Sequence, residues 1–312
     1  MQGRTIHFMN KEHNLLDEIK VIFAACSWGT MGVFVRLIDM PTSLIACYRG
    51  FIGAIFLYVL GVIAYKKYKL DFKAIRENIG VLILSGIALG INWILLFESY
   101  RKTTLALSTL CYYMAPVIVI IASILFFKES FNFKKLFCVL ISLVGMLLIS
   151  GVLDSSQRLA SKDSLGMLLA LLAACFYATV TILGRKTKNI SSNEETIVKL
   201  FVAAAILIPY NVLTVDSSSI KATPFMILML IILGIVHTGG AFFAYFSAIH
   251  GLESQKVALL TYLDPVVAVF ISKFILKEEI SLLAMVGAML LIGSLVAYEF
   301  INHNKMDIPS QV

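Results

Sequence analysis

A chain of 312 residues with 59% hydrophobic and only 14% charged residues is too apolar for a water-soluble globular protein, in which about 25% are charged. Its apolar residues come in blocks of about twenty, the length that a helix needs to cross a bilayer. The net charge of +7 would suit nucleic-acid binding on a soluble face, but its distribution along the chain argues for membrane orientation instead. We therefore expect an all-α integral membrane protein with no nucleic-acid partner.

The hydropathy pattern predicts ten transmembrane helices in chain order. They cover about 19–37, 43–65, 79–100, 104–127, 135–152, 164–184, 195–213, 224–249, 256–276 and 281–301. Spans 1 and 7 are the weakest of the ten, because Arg36 and Lys199 shorten their apolar stretches. Residues 1–17 show no separate apolar core or cleavage site, so we expect span 1 to act as an uncleaved insertion signal.

The lysines and arginines give the orientation of these spans. Of the 26, seventeen fall on the side that holds the N-terminus and eight on the other, while Arg49 lies inside a span. Cytoplasmic loops carry the positive excess in membrane proteins. We expect a multi-pass protein of the cytoplasmic membrane with its N-terminal segment 1–18 and its tail 302–312 both in the cytoplasm.

A segment of the first half recurs in the second half. Residues 110–129, LCYYMAPVIVIIASILFFKE, match residues 259–278, LLTYLDPVVAVFISKFILKE, at seven of twenty positions without a gap. The same offset pairs Ala24-Ala25-Cys26 with Ala173-Ala174-Cys175 and Gly90 with Gly239. The sequence therefore predicts two repeats, at 19–152 and 164–301, joined by an external linker at 153–163.

Each predicted repeat holds five spans, an odd number, so the second copy would enter the membrane from the opposite face. Inverted repeats of this kind are typical of secondary transporters. The chain has no GxxxxGK[ST] loop for nucleotide phosphates, and its five cysteines lie within spans without CxxC spacing. We expect no metal, no cofactor and no catalytic residue.

Polar and aromatic side chains at membrane depth are the candidates for a substrate cavity, because such groups are costly there and usually face a cavity or a partner. The repeat offset pairs Trp28 with Tyr177, Trp93 with Phe242 and Tyr113 with Tyr262, which predicts an aromatic lining around a pseudo-twofold axis. The candidate residues are Trp28, Arg49, Asn92, Trp93, Glu98, Tyr112, Tyr113, Tyr177, His237, Tyr245, Tyr262 and Asp264.

Several of these candidates have an alternative structural interpretation. Arg49 and Glu98 both lie near the outer ends of their spans, so they form either an ion pair or a gate. His237 either bonds to a neighbouring helix or faces the cavity. Asp264 precedes Pro265, so it either caps the outer half of a broken span 9 or binds protons or substrate.

The chain resembles the drug/metabolite transporter superfamily and, within it, the ten-helix EamA-type transporters. The matching residues are Ser27-Trp28-Gly29-Thr30, Tyr48-Arg49-Gly50, Ala115-Pro116-Val117, Leu263-Asp264-Pro265-Val266 and the Lys-Glu pairs at 128–129 and 277–278. The resemblance covers about Ile19 to Ala297 and implies a central cavity formed by spans 1–4 and 6–9. It also implies export of small metabolites or amino acids by exchange or with protons.

Together these observations predict a secondary transporter for a small metabolite, an amino acid or an amphiphilic compound. The alternatives are an intramembrane enzyme and a channel or receptor with the same bundle. Against an enzyme, the sequence lacks the GxSx motif, the paired aspartate motifs and the HExxH motif that intramembrane serine, aspartyl and zinc proteases need. The partners expected are a small molecule, the lipid bilayer and a coupled proton or counter-substrate, and a homodimer is left open.

The predicted topology is testable with cysteines at the two ends of span 3. Lys73→Cys lies in the loop predicted to be cytoplasmic, so an impermeant maleimide should label it only after the cells are permeabilised. Lys102→Cys follows the same span on the other side and should be labelled in intact cells. Labelling of Lys73→Cys in intact cells would overturn the topology.

Overall fold

The computed structural model describes residues 2–64, 70–129, 132–150, 152–153, 161–216, 222–275, 277 and 281–306. Within this part of the chain the structure contains helices and no strand. The α-helices are α1 (Gln2–Arg36), α2 (Thr42–Ala64), α3 (Phe72–Lys102), α4 (Leu105–Tyr112), α5 (Ala115–Phe127), α6 (Phe133–Ile149), α7 (Ser161–Gly184), α8 (Ser192–Thr214), α9 (Pro224–Ile232), α10 (Ala241–Ala248), α11 (Ser254–Thr261), α12 (Leu263–Phe274) and α13 (Leu282–Met306). A π-helical segment (Leu233–Gly240) joins α9 to α10.

Eight helical stretches of the described chain are long and apolar enough to cross a membrane. They are Leu15–Arg36, Thr42–Ile63, Phe72–Lys102, Leu107–Phe127, Asp163–Gly184, Ser192–Thr214, Pro224–Ala248 and Ser254–Ile271, and a shorter apolar helix covers Leu282–Tyr298. This arrangement confirms an all-helical protein with multiple membrane spans. Helices α6 and α13 coincide with predicted spans 5 and 10, and the count of ten stays a prediction.

Side-chain caps fix where several of these helices begin. The Asp71 carboxylate accepts hydrogen bonds from the backbone of Lys73 and Ala74, both at 3.0 Å, at the start of α3. Ser191 and Glu194 form a reciprocal capping box at the start of α8. These caps supply acceptors for backbone N–H groups that have no partner within the helix. They set the predicted cytoplasmic ends of the two helices.

Predicted spans 4 and 9 are each built from two short helices. The first break lies at Tyr113 and Met114, between α4 and α5, and the second lies at Tyr262, between α11 and α12. Each break comes just before a proline, Pro116 or Pro265, whose missing N–H removes a hydrogen bond from the preceding turn. The two halves of the chain therefore share a discontinuous helix at the same position of the repeat.

The same two spans also end alike. Lys128 and Lys277 both adopt a left-handed backbone with φ of 54°. Few non-glycine residues adopt this conformation, and it commonly ends a helix. The repeat that was read from residue identities is thus also visible in the backbone. Glu278, the partner of Glu129 in the repeat, and most of the linker 153–163 lie outside the described residues.

Helix packing is reciprocal between the two halves of the chain. Helix α3 packs on α7 and α8, and the third element of the second half, the π-helical segment with α10, packs on α1 and α2. Helices α4 and α5 pack on α7, while α11 and α12 pack on α1. The pairs α2–α8 and α6–α13 join equivalent elements directly, and α5 packs on α11 where predicted spans 4 and 9 meet. Exchanging the two halves therefore leaves the set of contacts nearly unchanged.

Glycines allow the closest of these helix contacts. A Cβ on Gly53 of α2 would lie 2.9 Å from the backbone nitrogen of Gly239, and one on Gly145 of α6 would lie 2.7 Å from the Gly287 carbonyl oxygen of α13. Small residues let helices approach in lipid, where apolar area alone does not drive association. The two backbones meet directly at both contacts.

Two glycines of α3 provide a matched test of this packing. A Cβ on Gly86 would lie 2.6 Å from the Val202 Cβ of α8, whereas a Cβ on Gly80 would meet no atom within 4 Å. We expect Gly86→Ala to cost about 1–3 kcal/mol through overpacking. Gly80→Ala should gain about 0.5–1 kcal/mol, because alanine favours the helix. Thermal unfolding of both variants in detergent checks this, and equal midpoints would contradict the assigned α3–α8 contact.

Candidate substrate cavity

Seven aromatic residues predicted for the cavity lie in one connected group. Ring centroids are 6.2 Å apart for Tyr262 and Tyr113, 6.3 Å for Tyr113 and Tyr112, and 6.1 Å for Tyr112 and Tyr177. The Tyr177 ring lies 6.3 Å from that of Tyr245. These spacings suit tilted and edge-to-face ring contacts. The structure thus brings the tyrosines of both halves of the chain together.

The group continues to the two tryptophans of the protein through Phe242. The Trp28 ring lies 5.5 Å from Tyr245 and 5.3 Å from Phe242, and Phe242 lies 6.3 Å from Trp93. Trp28 is half-buried, while Trp93 is buried. We call the residues Trp28, Trp93, Tyr112, Tyr113, Tyr177, Phe242, Tyr245 and Tyr262 the aromatic cluster.

The two helix breaks meet inside the aromatic cluster. The Tyr262 hydroxyl donates to the Tyr113 carbonyl oxygen at 3.0 Å, so the side chain at one break bonds to the backbone at the other. Tyr262 has no exposed surface. Its hydroxyl therefore joins the ends of α4 and α11. Trp28, Tyr112, Tyr113 and Tyr177 are the half-buried members of the cluster that can line an open space.

Asp264 is not the cap of the outer half-helix, which corrects that interpretation. Helix α12 begins at Leu263 with Tyr262 at the N-cap, and no side-chain capping bond is made there. Asp264 is instead half-buried in the first turn, with the Tyr113 hydroxyl as its hydrogen-bonding neighbour. Its carboxylate also interacts electrostatically with Cys26, Tyr100, Tyr112 and Tyr177. Within the described chain, none of these neighbours is a cation.

Gly29 of the Ser27-Trp28-Gly29-Thr30 motif packs directly on this half-helix. A Cβ at Gly29 would lie 2.5 Å from the Asp264 carbonyl oxygen and 2.8 Å from the Val267 Cβ. No real Cβ approaches other atoms so closely. The glycine therefore lets α1 approach the first turn of α12, which places Asp264 beside the aromatic cluster.

The predicted ion pair of Arg49 and Glu98 does not form, which is a second correction. Glu98 accepts from Arg101 at 2.8 Å and also bonds to the Tyr210 hydroxyl of α8. Arg49 is buried, places its guanidinium 4.7 Å from the Trp93 ring centroid, and directs Nη1 to the Met31 sulfur at 2.8 Å. The two charges are separated because Glu98 finds partners near the outer end of α3.

His237 lies in the π-helical segment and contacts α1. Its Nε2 lies 2.9 Å from the Thr30 hydroxyl, and its ring packs 4.6 Å from the Phe34 ring. The histidine is buried, and its position is explained by these contacts to a neighbouring helix. The observation agrees with the structural interpretation of this residue.

Asn92 connects α3 to the first helix of the second repeat. Its Nδ2 donates to the Ala173 carbonyl oxygen at 2.7 Å and lies 3.5 Å from the Tyr112 hydroxyl. Its Oδ1 is buried without a partner among the described residues. Asn92 therefore presents a free acceptor beside the half-buried Tyr112.

Sequence reasoning missed two residues of this region. Tyr100 interacts electrostatically with both Arg49 and Asp264, and Met31 contacts Arg49. Both were hidden because tyrosine and methionine are ordinary near the end of an apolar helix. One signal for Tyr100 was its place two residues after Glu98, near the outer end of span 3.

A separate apolar groove of about 420 Å³ lies outside the aromatic cluster. It is formed by α2, α9 and the residues just before them, and it contains none of the twelve predicted residues. Its lining consists of Met40, Leu44, Tyr48, Ile52, Ala222, Met226, Ile227, Leu230 and Ile231. The predominantly apolar lining fits a surface that faces lipid, and it is not the predicted cavity.

Two copies of one known domain account for most of the chain. The sequence profile described as the EamA-like transporter family matches residues 17–151 and again residues 164–298. The chain belongs to this family. The resemblance to the EamA-type transporters of the drug/metabolite transporter superfamily is thereby confirmed.

Two similar proteins that cover most of the chain are named as transporters, without a substrate. The chain is 27% identical over 251 residues to the uncharacterized transporter YxxF of Bacillus subtilis (strain 168), covering 80% of this chain and 79% of that protein. It is 27% identical over 283 residues to an uncharacterized transporter of Archaeoglobus fulgidus, and the match covers 90% of this chain and 96% of that protein. A solved structure, titled only as the crystal structure of a protein, superposes on this chain with a TM-score of 0.82 at 16% sequence identity. The superposition covers 94% of this chain and 99% of that one. It shows the same fold.

Water access to the aromatic cluster is testable with cysteines, after the native cysteines are replaced by alanine. Trp28→Cys and Tyr177→Cys replace half-buried cluster residues, so a hydrophilic thiosulfonate reagent should label both. Ile55→Cys on α2 is the control, because Ile55 is 61% exposed in the isolated chain and would face lipid, where a thiol does not ionise. Equal resistance of all three thiols would remove the basis for a cavity.

Proposed function

We propose that this protein is a secondary transporter that exports a small metabolite, an amino acid or an amphiphilic compound, by alternating access through the aromatic cluster. The observation that carries the proposal is the meeting of two discontinuous helices at Tyr113 and Tyr262 inside that cluster. Secondary transporters commonly bind substrate and coupling ions at such breaks near the bilayer midplane. The family and the relatives named above support the general class.

The reciprocal helix packing supports an inverted repeat as the basis of the transport cycle. Equivalent helices of the two halves exchange their neighbours, and α2–α8 and α6–α13 pair equivalent elements. Five spans in each repeat place the second copy upside down in the membrane. Each half then closes one side of the cavity, and rocking of one half against the other would open the two sides in turn.

We infer that ion pairs close the predicted cytoplasmic side of the bundle. Arg185 at the end of α7 donates to Glu129 at 2.7 Å and to the Leu252 carbonyl oxygen at 2.6 Å. Glu129 also accepts from the Ser254 hydroxyl at 3.0 Å. These contacts join the end of predicted span 4 to the start of span 9 and the end of span 6, so Glu129 pairs across the two repeats.

Further pairs at the same end join other helices. Lys256 of α11 donates to Glu18 of α1 at 2.5 Å, and Lys135 of α6 pairs with Glu253. All these residues lie at or beside ends of predicted spans that the positive-charge distribution places in the cytoplasm. This concentration of interhelical pairs favours a state that is closed toward the cytoplasm.

Asp264 is the ionisable group that we propose for coupling. Its repeat counterpart is Ala115, so the repeat architecture itself does not require a carboxylate at this position. A charged group near the bilayer centre costs about 2.5–3.5 kcal/mol on insertion scales, and such residues are usually functional. The carboxylate faces Tyr113 rather than a capping position. A proton or a cationic group of the substrate would neutralise it.

Transport measurements test the proposal directly. Cells loaded with radiolabelled amino acids and amphiphilic cations should release at least one of them faster when they express the protein.

Asp264→Asn keeps the side-chain shape but cannot ionise, so we expect export to be lost or to become independent of pH at unchanged membrane abundance. Asp39→Asn, at an exposed position after α1, serves as the control. Wild-type activity of Asp264→Asn at every pH would refute the coupling role.

A further inference from the structure

Arg49 is a buried cation without a counter-ion in the described part of the chain. Only 7% of the surface of Arg49 is exposed, and its Nε has no hydrogen-bond partner among the described residues. Among the described residues, the guanidinium contacts two uncharged groups. Its Nη1 lies 2.8 Å from the Met31 sulfur, and its Cζ lies 4.7 Å from the centroid of the Trp93 ring. These contacts orient the planar group but do not neutralise its charge.

Such an arrangement is unfavourable unless another group completes it. Other buried cations of this structure have carboxylate partners: Lys199 pairs with Glu195, and Lys135 pairs with Glu253. A buried ion without a partner is costly, because desolvation is not offset by Coulomb attraction. Glu98, the acidic residue expected to pair with Arg49, is bound to Arg101 and Tyr210 instead.

The groups around Arg49 lead toward the aromatic cluster. Tyr100 and Tyr112 are close enough to the guanidinium to interact with it electrostatically, and both also interact with Asp264. Tyr112 is half-buried, and its hydroxyl lies 3.5 Å from the Asn92 Nδ2 of the amide whose Oδ1 has no partner among the described residues. An unpaired donor of Arg49 and an unpaired acceptor of Asn92 thus share one half-buried tyrosine as a neighbour.

We propose that Arg49 binds a carboxylate group of the transported substrate, while a hydrogen-bond donor of the same molecule reaches Asn92 Oδ1. The inference rests on the proposed transport function and adds the substrate class, an amphiphilic organic carboxylate. Guanidinium suits this role because its planar donors match the two oxygens of a carboxylate. The apolar remainder of the molecule would pack on the aromatic cluster.

A neutral or purely cationic substrate fits this site less well. A cation would be repelled by Arg49, and a neutral amide would leave the buried charge uncompensated. Arg49 lies beside Trp93 and interacts electrostatically with Tyr112, so its attraction selects for a negative group at this part of the cluster. Asp264 has the Tyr113 hydroxyl as its hydrogen-bonding neighbour, so the two charges need not compete for one group of the substrate.

Binding measurements on the purified protein in lipid nanodiscs test the site without a transport assay. The probes are acetate, hexanoate, octanoate, 3-phenylpropionate and phenylalanine, each compared with its primary amide, which has the same shape and no negative charge. We expect at least one carboxylate to bind about tenfold or more tightly than its amide, as one charge-assisted contact implies. Arg49→Gln should abolish this preference, and Arg49→Lys should retain part of it.

Two controls separate binding from folding. Arg101→Gln removes an arginine whose side chain is 66% exposed and already paired, so it should leave the carboxylate preference unchanged. Arg49→Gln removes an uncompensated charge, so the ligand-free variant should unfold at the wild-type temperature or above it. A large drop in that temperature would show that Arg49 has a structural partner and would overturn the inference.

The results also distinguish failure of the site from failure of the proposed function. If no carboxylate binds better than its amide, or if the preference survives in Arg49→Gln, the site is refuted even when transport is observed. If carboxylates bind through Arg49 but cross no proteoliposome membrane, the site stands and the transport function fails. The binding and transport assays thus give independent answers.

Discussion

Satisfaction of backbone hydrogen bonds within the membrane is the constraint on which this structure depends. Without water in the hydrocarbon layer, a broken helix is tolerated only where protein supplies new partners. At the break at Tyr113 the partner comes from the other break, because the Tyr262 hydroxyl donates to the Tyr113 carbonyl oxygen at 3.0 Å. The first break therefore depends on the second half of the chain, and the aromatic cluster forms where the two halves meet.

Tight packing and ion pairing act on different parts of the bundle. Glycines let backbones approach without intervening side chains where α2 meets the π-helical segment, where α3 meets α8 and where α6 meets α13. The ion pairs of Arg185, Lys256 and Lys135 lie at the predicted cytoplasmic end and join the two repeats. The glycines thus set how closely helices pack within the bundle, and the ion pairs join the two repeats at one end of it.

The two intramembrane charges of the candidate site follow a common principle. Arg49 and Asp264 each lack an oppositely charged partner among the described residues, and both interact electrostatically with Tyr100 and Tyr112. One cation and one anion thus have the same two phenol rings as neighbours. Phenol rings provide apolar area together with hydroxyl groups, so they can contact an amphiphilic molecule without neutralising either charge.

The sequence by itself determined the helical class, the positions of the apolar segments, the repeat and the seven aromatic residues that cluster. These features are local or repeat at a fixed offset, since each segment must meet the hydrophobic requirement of the bilayer on its own. Only the tertiary structure decided that Glu98 pairs with Arg101 and Tyr210, that Arg49 stacks on Trp93, and that Tyr262 occupies the N-cap expected of Asp264. Polar partners depend on distances of a few ångströms between helices far apart in the chain, and hydropathy and spacing do not contain that geometry.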